Sequence, residues 1–276
     1  ILTKTQLGFS EDNIKMFNKL IQTPNGIILV TGPTGSGKTT TLYAILQELN
    51  RINRNIITIE DPVEYRLDGI NQMQVNTKAG LTFASGLRSV LRQDPDIIMV
   101  GEVRDSETAG IAVRAATTGH MVFSTLHTND ASGALPRLVD MGVEPFLVAS
   151  SVIAVVAQRL VRVICPVCKK SFELADNSPE RRFMGIPDGV PVTLYRGTGC
   201  HQCGQTGYRG RISIQEMLIV TQEIRKQILS YAPANEIRDT ALKQGMISIT
   251  NDGIQKALLG ITTIDEVMRV ATTEEL

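Results

Sequence analysis

The sequence lacks an excess of charge of either sign, because its 28 Lys and Arg residues equal its 28 Asp and Glu residues. Proteins that grip the phosphate backbone of nucleic acids usually carry a basic excess. The balance therefore argues against nucleic acid as a partner, while leaving local basic patches open. The base-reading Asn-Lys-x-Asp motif of GTPases is also missing, since Asn18-Lys19 continues as Leu20-Ile21.

Long apolar runs are missing as well. The most apolar stretch, Phe146 to Ala157, is 12 residues long, whereas a helix that crosses a bilayer needs about 20 residues. We expect a buried core helix in this stretch and a cytosolic protein whose membrane contact is peripheral. No secretory signal opens the chain, and Ile1-Leu2-Thr3-Lys4, without an initiating Met, is typical of a cut through a longer protein.

Four short apolar runs are rich in β-branched residues and do not alternate with polar ones, which is typical of strands covered on both faces of a parallel sheet. These runs are 26–31, 55–59, 96–100 and 120–125. An apolar stripe at helical spacing follows the first run, with the members Leu42, Ile45, Leu46, Leu49 and Ile52. A second helix is expected over 106–117. Strands that alternate with helices predict an α/β fold with right-handed crossovers.

A glycine-rich loop between the first strand and the first helix carries the strongest motif, Gly-x-x-x-x-Gly-Lys-Thr. Its glycines let backbone amides turn inward around phosphate oxygens, and the helix N-terminus adds its positive end. We expect Lys38 to bridge the β- and γ-phosphates of ATP and Thr39 to place its hydroxyl on Mg²⁺. A simple glycine turn with a surface lysine is the alternative, which the flanking strand and helix disfavour. The predicted nucleotide-binding residues are Gly32, Pro33, Thr34, Gly35, Ser36, Gly37, Lys38, Thr39 and Thr40.

Two acidic segments follow strands of the predicted sheet. In 96–102 an apolar strand ends at Glu102, a Walker B arrangement in which the acid faces Mg²⁺ directly or through water; capping the next turn is the alternative. In 58–64, Glu60, Asp61 and Glu64 are candidate bases for an attacking water. The residues alone do not choose among these three, and the alternative to a catalytic role is a solvated acidic turn.

Histidines and cysteines supply two further candidate sites. His120 and His127 bracket the last predicted strand, beside the expected active edge of the sheet. The alternative for either one is the ordinary role of a hydrogen-bonded core histidine or a surface histidine. The cysteines form two Cys-x-x-Cys pairs, which present four thiolates to one tetrahedral Zn²⁺. Because four thiolates fill such a site, the zinc is expected to be structural and His201 not a ligand. A thioredoxin-like redox pair is the rival, but it needs only one Cys-x-x-Cys. The predicted ligands are Cys165, Cys168, Cys200 and Cys203.

These motifs, in this order and spacing, resemble the secretion-type ATPases that assemble type IV pili and type II secretion pseudopili, over Leu7 to Leu276. The resemblance implies a RecA-like P-loop core with a parallel sheet (1–162), a small tetracysteine zinc module (163–210) and a helical C-terminal domain (211–276). It implies that Glu64 is the general base, Glu102 the Walker B glutamate and His127 a neighbour of the γ-phosphate. The cofactors implied are ATP, Mg²⁺ and Zn²⁺.

The resemblance also implies partners. The family forms homo-hexameric rings at the cytoplasmic face of the inner membrane, acts on a membrane platform protein, and binds ATP between this half and an N-terminal half-domain, which would lie upstream of Ile1. Four arginines stay candidates for charge-stabilising contacts, with surface ion pairs as the alternative: Arg88, Arg92, Arg104 and Arg114.

The tetracysteine element favours pilus assembly or secretion over pilus retraction, since it is typical of the assembly and secretion members. The competing function is a DNA-translocating or DNA-uptake ATPase of the same superfamily. A third option, a scaffold that binds ATP without hydrolysing it, is disfavoured by the intact Glu64 and Glu102.

Overall fold

The computed structural model describes residues 2–271. Ile1 of the predicted core and 272–276 of the predicted C-terminal domain lie outside the described residues. The chain divides into two compact units, which we call the first and second unit. The first comprises Ile1–Gln158 and Met217–Met246, and the second comprises Arg159–Glu216 and Ile247–Leu276.

The strands are β1 Gly26–Thr31, β2 Ile56–Glu60, β3 Asn71–Gln74, β4 Ile97–Val100, β5 Met121–Leu126, β6 Val152–Ile164, β7 Lys169–Glu173, β8 Thr193–Gly197 and β9 Tyr208–Ile219. The α-helices are α1 Lys4–Leu7, α2 Glu11–Leu20, α3 Lys38–Leu49, α4 Phe83–Val90, α5 Ser106–Thr117, α6 Ala134–Asp140, α7 Pro145–Ser151, α8 Pro179–Met184, α9 Gln222–Leu229, α10 Ala234–Lys243, α11 Ile249–Leu258 and α12 Ile264–Ala271. Short 3₁₀ turns cover Thr77–Ala79 and His201–Cys203.

A mostly parallel sheet organises the first unit, in the order β3-β2-β4-β5-β1-β6-β9. The pairs β1–β5, β1–β6, β2–β3, β2–β4 and β4–β5 are parallel. Every residue of β1, β2, β4 and β5 is buried, which explains why these strands have non-alternating apolar sequences. The α/β fold with a parallel sheet is thus confirmed.

Helix α3 covers one side of this sheet because its apolar stripe lies against the strands. Leu42, Ile45 and Leu46 are fully buried in the same core cluster as Ile28 and Val30 of β1. Ile52, the last member of the predicted stripe, is exposed because the helix ends at Leu49. The stripe therefore predicted the helix correctly but overestimated its length by one turn.

The predicted core helix over Phe146 to Ala157 is wrong in its second half. Helix α7 ends at Ser151, and Val152 begins β6, which pairs with β1. Val152, Val155 and Val156 are β-branched and buried in the sheet. Because a short apolar run has no clear period, the sequence pattern alone did not separate the helix from the strand.

The second unit contains the hairpin of β7 and β8 together with α11 and α12. The two strands pair antiparallel, with Phe172 opposite Leu194. Leu194 packs with Ala257 and Val267 in a small buried cluster. Strands β6 and β9 run through residues 162 and 210, and the predicted domain boundaries at those positions stay predictions.

Candidate functional site

The predicted nucleotide-site residues follow four neighbouring parallel strands at their carboxyl ends. The P-loop follows β1, Glu60 ends β2, Glu102 lies two residues after β4, and His127 directly follows β5. Since the carboxyl ends of parallel strands meet at one edge of a sheet, the topology collects these groups there. Strand β5, between β1 and β4, places His127 between the P-loop and Glu102.

Two glycines of the P-loop adopt left-handed backbone conformations. Gly35 and Gly37 have φ values of 78° and 85°, which side-chain-bearing residues rarely adopt. Gly37 is the N-cap of α3, so the helix begins at Lys38. The Lys38 ammonium donates to the carbonyl oxygens of Gly32 at 2.9 Å and Pro33 at 3.0 Å. This side chain is therefore folded over the mouth of the loop, where phosphate oxygens can replace the carbonyls as its acceptors.

Two polar links hold the P-loop in place. The Thr31 hydroxyl, at the end of β1, accepts from the Thr128 amide at 2.9 Å. On the other side, the Gln158 amide donates to the Ser36 carbonyl at 2.7 Å and its oxygen accepts from the Thr41 hydroxyl at 3.0 Å. The first link joins the end of β1 to the segment after β5, and the second joins the loop and the start of α3 to β6, so the loop conformation does not depend on its own residues alone.

The acidic segment after β2 contains carboxylates in opposite environments. Glu60 is 2% exposed and accepts hydrogen bonds from the hydroxyls of Tyr43 and Thr58. Asp61 and Glu64 are exposed. A buried carboxylate whose oxygens are engaged is poorly placed to deprotonate water, so the structure leaves Asp61 and Glu64 as the candidate bases.

Glu102 contacts both Arg104 and His127. One oxygen accepts from both Arg104 Nε and Nη2 at 2.7 Å, and the other lies 2.9 Å from His127 Nε2. The Glu102 side chain is 16% exposed, against 46% for His127. Two hydrogen bonds tie the ends of β4 and β5 together: Thr125 donates to the Gly101 carbonyl and Ser124 to the Val100 carbonyl. The predicted Walker B acid and the second histidine are thus brought together.

His120 does not belong to this group. It precedes β5 and therefore lies at the amino end of the strand, opposite His127. Its Nδ1 lies 2.9 Å from the carbonyl oxygen of Ala115 in α5. The expectation that both histidines lie at the active edge is therefore wrong for His120, which links α5 to the start of β5.

The candidate arginines have different environments. Arg104 pairs with Glu102, as described. Arg88 pairs with Glu107 at 2.6 Å on the surface, and Arg92 donates to the Arg88 carbonyl. Arg114 is exposed on α5. Only Arg104 of these four is bonded to a predicted site residue.

The four cysteines form one cluster in the second unit. All four Sγ atoms lie within 4.8 Å of one another. The Sγ–Sγ distances are 3.9 Å for Cys165–Cys200, 3.9 Å for Cys168–Cys203 and 3.7 Å for Cys200–Cys203. Tetrahedral zinc with Zn–S bonds of about 2.3 Å separates its sulfurs by about 3.8 Å. The donor set and its spacing therefore fit one Zn²⁺.

Two cysteines of this cluster have shifted pKa values, one raised and one lowered. Burial raises the pKa of Cys168 to about 11. Burial also opposes ionisation of Cys203, but amide hydrogen bonds from Cys200 and Gly207 outweigh it and lower the pKa of Cys203 to about 6. One thiolate is thus favoured at neutral pH, and a divalent cation would displace the remaining thiol protons. His201 is exposed between the second pair.

Sequence reasoning missed two residues that hold the site and one contact of a residue that it had named. The missed residues are Tyr43, which bonds to Glu60 and to the Glu64 amide, and Gln158, which supports the P-loop; the missed contact is that of Arg104 with Glu102. Tyr43 lies on the buried face of α3, where an apolar pattern suggests only packing. Gln158 lies in β6 and has no local motif that could have revealed it.

Comparisons with known proteins point to one family. Residues 2–269 match the family described as "Type II/IV secretion system protein". The chain is 53% identical over 273 residues to the type II secretion system protein E of Pseudomonas aeruginosa, covering 99% of this chain and 54% of that protein. It is 52% identical over 264 residues to the type IV pilus assembly ATPase PilB of Thermus thermophilus, covering 95% of this chain and 30% of that protein.

Among solved structures, the pilus retraction motor PilT with bound ADP is similar, with a TM-score of 0.69 and 30% identity over 98% of this chain and 67% of that one. The chain spans about half the length, or less, of the two curated relatives it matches. Over residues 2–271, none of the helices is both long and apolar enough to cross a membrane.

Proposed function

The chain belongs to the family of type II/IV secretion system proteins, and we propose that it carries the ATP-hydrolysing site of a motor that assembles a type IV pilus or a type II secretion pseudopilus. The observation that carries this proposal is the meeting of the P-loop, the acidic segment after β2 and the Glu102–His127 pair at one edge of the sheet. The relatives' names favour this function over DNA translocation.

The P-loop would bind the triphosphate. Its inward amides and the N-terminus of α3 would hold the phosphate oxygens, and Lys38 would exchange the Gly32 and Pro33 carbonyls for the β- and γ-phosphates. Thr39 at the start of α3 and Glu102 offer the hard oxygen donors that Mg²⁺ prefers, with water completing its shell. Bound there, Mg²⁺ would neutralise negative charge on the phosphates.

Hydrolysis would then depend on Glu64. Its exposed carboxylate would orient a water molecule and take its proton while the water oxygen attacks the γ-phosphorus and the bond to the β-phosphate oxygen breaks. The products are ADP and inorganic phosphate. His127, held by Glu102, would contact the γ-phosphate side, and Arg104 would compensate the charge of Glu102.

The remaining expectations are part of the same proposal. We propose that the parent protein works as a homo-hexamer at the cytoplasmic face of the inner membrane, acting on a platform protein of the machine. Residues 163–210 would be a structural zinc module. The names of the relatives in secretion and pilus assembly support the type of machine.

The test is a set of three variants of the full-length protein. Glu64→Gln keeps the size of the side chain but loses its basicity, so turnover should fall on the order of 10²–10⁴-fold while a fluorescent ATP analogue still binds. Lys38→Ala should lose binding and turnover together. Asp61→Asn, a matched change at the other exposed carboxylate, should stay near wild type. Unchanged turnover in Glu64→Gln would refute the assignment of the base, and unchanged binding in Lys38→Ala would refute that of the nucleotide site.

A further inference from the structure

Tyr43 lies on α3, five positions after the P-loop lysine, and is the largest fully buried side chain of the first unit's core. Its ring packs edge-on against Tyr65 with centroids 4.8 Å apart. Its hydroxyl reaches the end of β2, where the acidic segment begins. A single side chain therefore connects the helix that starts at the P-loop to the segment that carries the proposed base.

The hydrogen bonds of this hydroxyl have fixed directions. A phenol has one proton to donate and lone pairs to accept with. The Glu60 carboxylate can only accept, so Tyr43 donates to it. The backbone amide of Glu64 donates to the Tyr43 oxygen at 3.2 Å, and Gln72 Nε2 lies 3.3 Å from the same oxygen. The donor and the acceptor capacity of the hydroxyl are thus both used, and neither role can be reversed.

The partners of Tyr43 are themselves held. Glu60 also accepts from the Thr58 hydroxyl and from Gln72. Gln72 in turn accepts from the Leu67 amide at 2.7 Å and donates to the Tyr65 carbonyl at 3.1 Å. Burial, with the Glu60 hydrogen bond, raises the pKa of Tyr43, so its hydroxyl stays protonated across the physiological range. The segment around Glu64 is therefore anchored by side chains beneath it, while the Glu64 carboxylate is exposed.

We propose that Tyr43 is a positioning residue for hydrolysis: its hydroxyl fixes the backbone at Glu64 relative to the P-loop helix, and so sets where the carboxylate meets the attacking water. This inference rests on the proposed function of Glu64. Misplacing a catalytic group by about 1 Å can cost on the order of 10²-fold in rate. Losing the anchor should therefore slow the chemical step while leaving the phosphate cradle intact.

Tyr43→Phe in the full-length protein removes only the hydroxyl. We expect kcat to fall by about tenfold or more and the KM for ATP to change less than about twofold. Tyr65→Phe, the same change on the neighbouring ring, is the matched control and should keep kcat. An unchanged kcat in Tyr43→Phe, or a loss confined to ATP affinity, would overturn the proposal.

A double-mutant cycle with Glu64→Gln separates positioning from general destabilisation. If Tyr43 acts through Glu64, the hydroxyl should matter little once the base is gone, and Tyr43→Phe/Glu64→Gln should be about as slow as Glu64→Gln alone. Independent, multiplying losses would overturn the proposal. If Glu64→Gln is itself fully active, the proposed function of Glu64 has failed first. If Glu64→Gln is slow and Tyr43→Phe is fast, only the role of Tyr43 has failed.

Stability needs its own control, because Tyr43→Phe leaves the buried Glu60 charge with one donor fewer. If Tyr43→Phe does not fold, the double variant Tyr43→Phe/Glu60→Gln takes its place. It removes the Glu60 carboxylate as well as the Tyr43 hydroxyl that donates to it. The amide of Glu64 still loses its acceptor there, so kcat should fall by a similar factor, with a melting temperature closer to wild type. Wild-type kcat in that folded variant would overturn the proposal.

Discussion

Glu60 and Glu64 are four residues apart in one acidic segment, yet their environments are opposite. Glu60 ends β2 with its side chain pointing into the core, where hydroxyl donors from Tyr43 and Thr58 satisfy it. Glu64 lies beyond the strand and is exposed. At the residue scale, burial decides which carboxylate maintains the fold and which is available to a water molecule.

The two histidines allow a matched prediction at the same scale. His127 lies 2.9 Å from Glu102, whereas His120 lies at the other end of β5 against the Ala115 carbonyl. We expect His127→Ala to lower turnover on the order of 10²-fold and His120→Ala to leave turnover near wild type. Single-turnover hydrolysis with saturating ATP measures both. Unchanged turnover in His127→Ala, or an equal loss in His120→Ala, would contradict this prediction.

At the scale of elements, parallel pairing collects the candidate site, because β1, β2, β4 and β5 end at one edge and each ends at or before a segment with candidate site residues. In the second unit, the buried carboxylate of Glu266 links helix α12 to strand β6 through hydrogen bonds. Glu266 of α12 is 1% exposed and accepts from the backbone and side chain of Arg162 in β6, and from Arg269 one turn later. Its charge is therefore satisfied from both elements.

This network predicts a pH-dependent stability. Burial opposes ionisation of Glu266, but hydrogen bonds from Arg269 and Arg162 outweigh it and lower its pKa from 4.5 to about 2. The carboxylate thus stabilises the folded state fully above about pH 4.5, and this stability is lost as the pH falls towards 2. Glu266→Gln should lower the melting temperature at pH 7, and the gap to wild type should narrow on acidification. A gap that is constant from pH 7 down to the lowest pH at which both proteins fold would contradict this. Asp265→Asn, an exposed acid of the same helix, is the control.

At the scale of the whole molecule, the chain forms two compact units with different means of stabilisation. The first has a large apolar core around its sheet. The second has a smaller apolar cluster, the cysteine cluster and the buried ion pair Lys256–Asp252. A bound metal would add to the folding stability of the second unit, since structural zinc can supply roughly 10–16 kcal/mol of apparent binding energy in small modules.

Cys200→Ser should therefore lose zinc and loosen the second unit. We expect about one zinc per chain in the wild type by elemental analysis, a sharp fall in the variant, and faster hydrogen exchange in 163–210. ATP-analogue affinity should persist, because the P-loop belongs to the other unit. His201→Ala, between the two cysteines of the second pair, should keep its zinc. Near-zero zinc under reducing conditions in a folded wild type would refute the site.

The amino-acid sequence by itself determined the local features of this protein. The P-loop, the two Cys-x-x-Cys turns and the apolar strand segments could be recognised from residues a few positions apart, through their residue types and spacing. Only the tertiary structure decided that Glu60 is buried while Glu64 is exposed, that His127 rather than His120 meets Glu102, and that Val152 begins a strand. Those outcomes depend on contacts between segments far apart in the chain, such as Gln158 with Ser36, because burial and hydrogen-bond partners are set by packing.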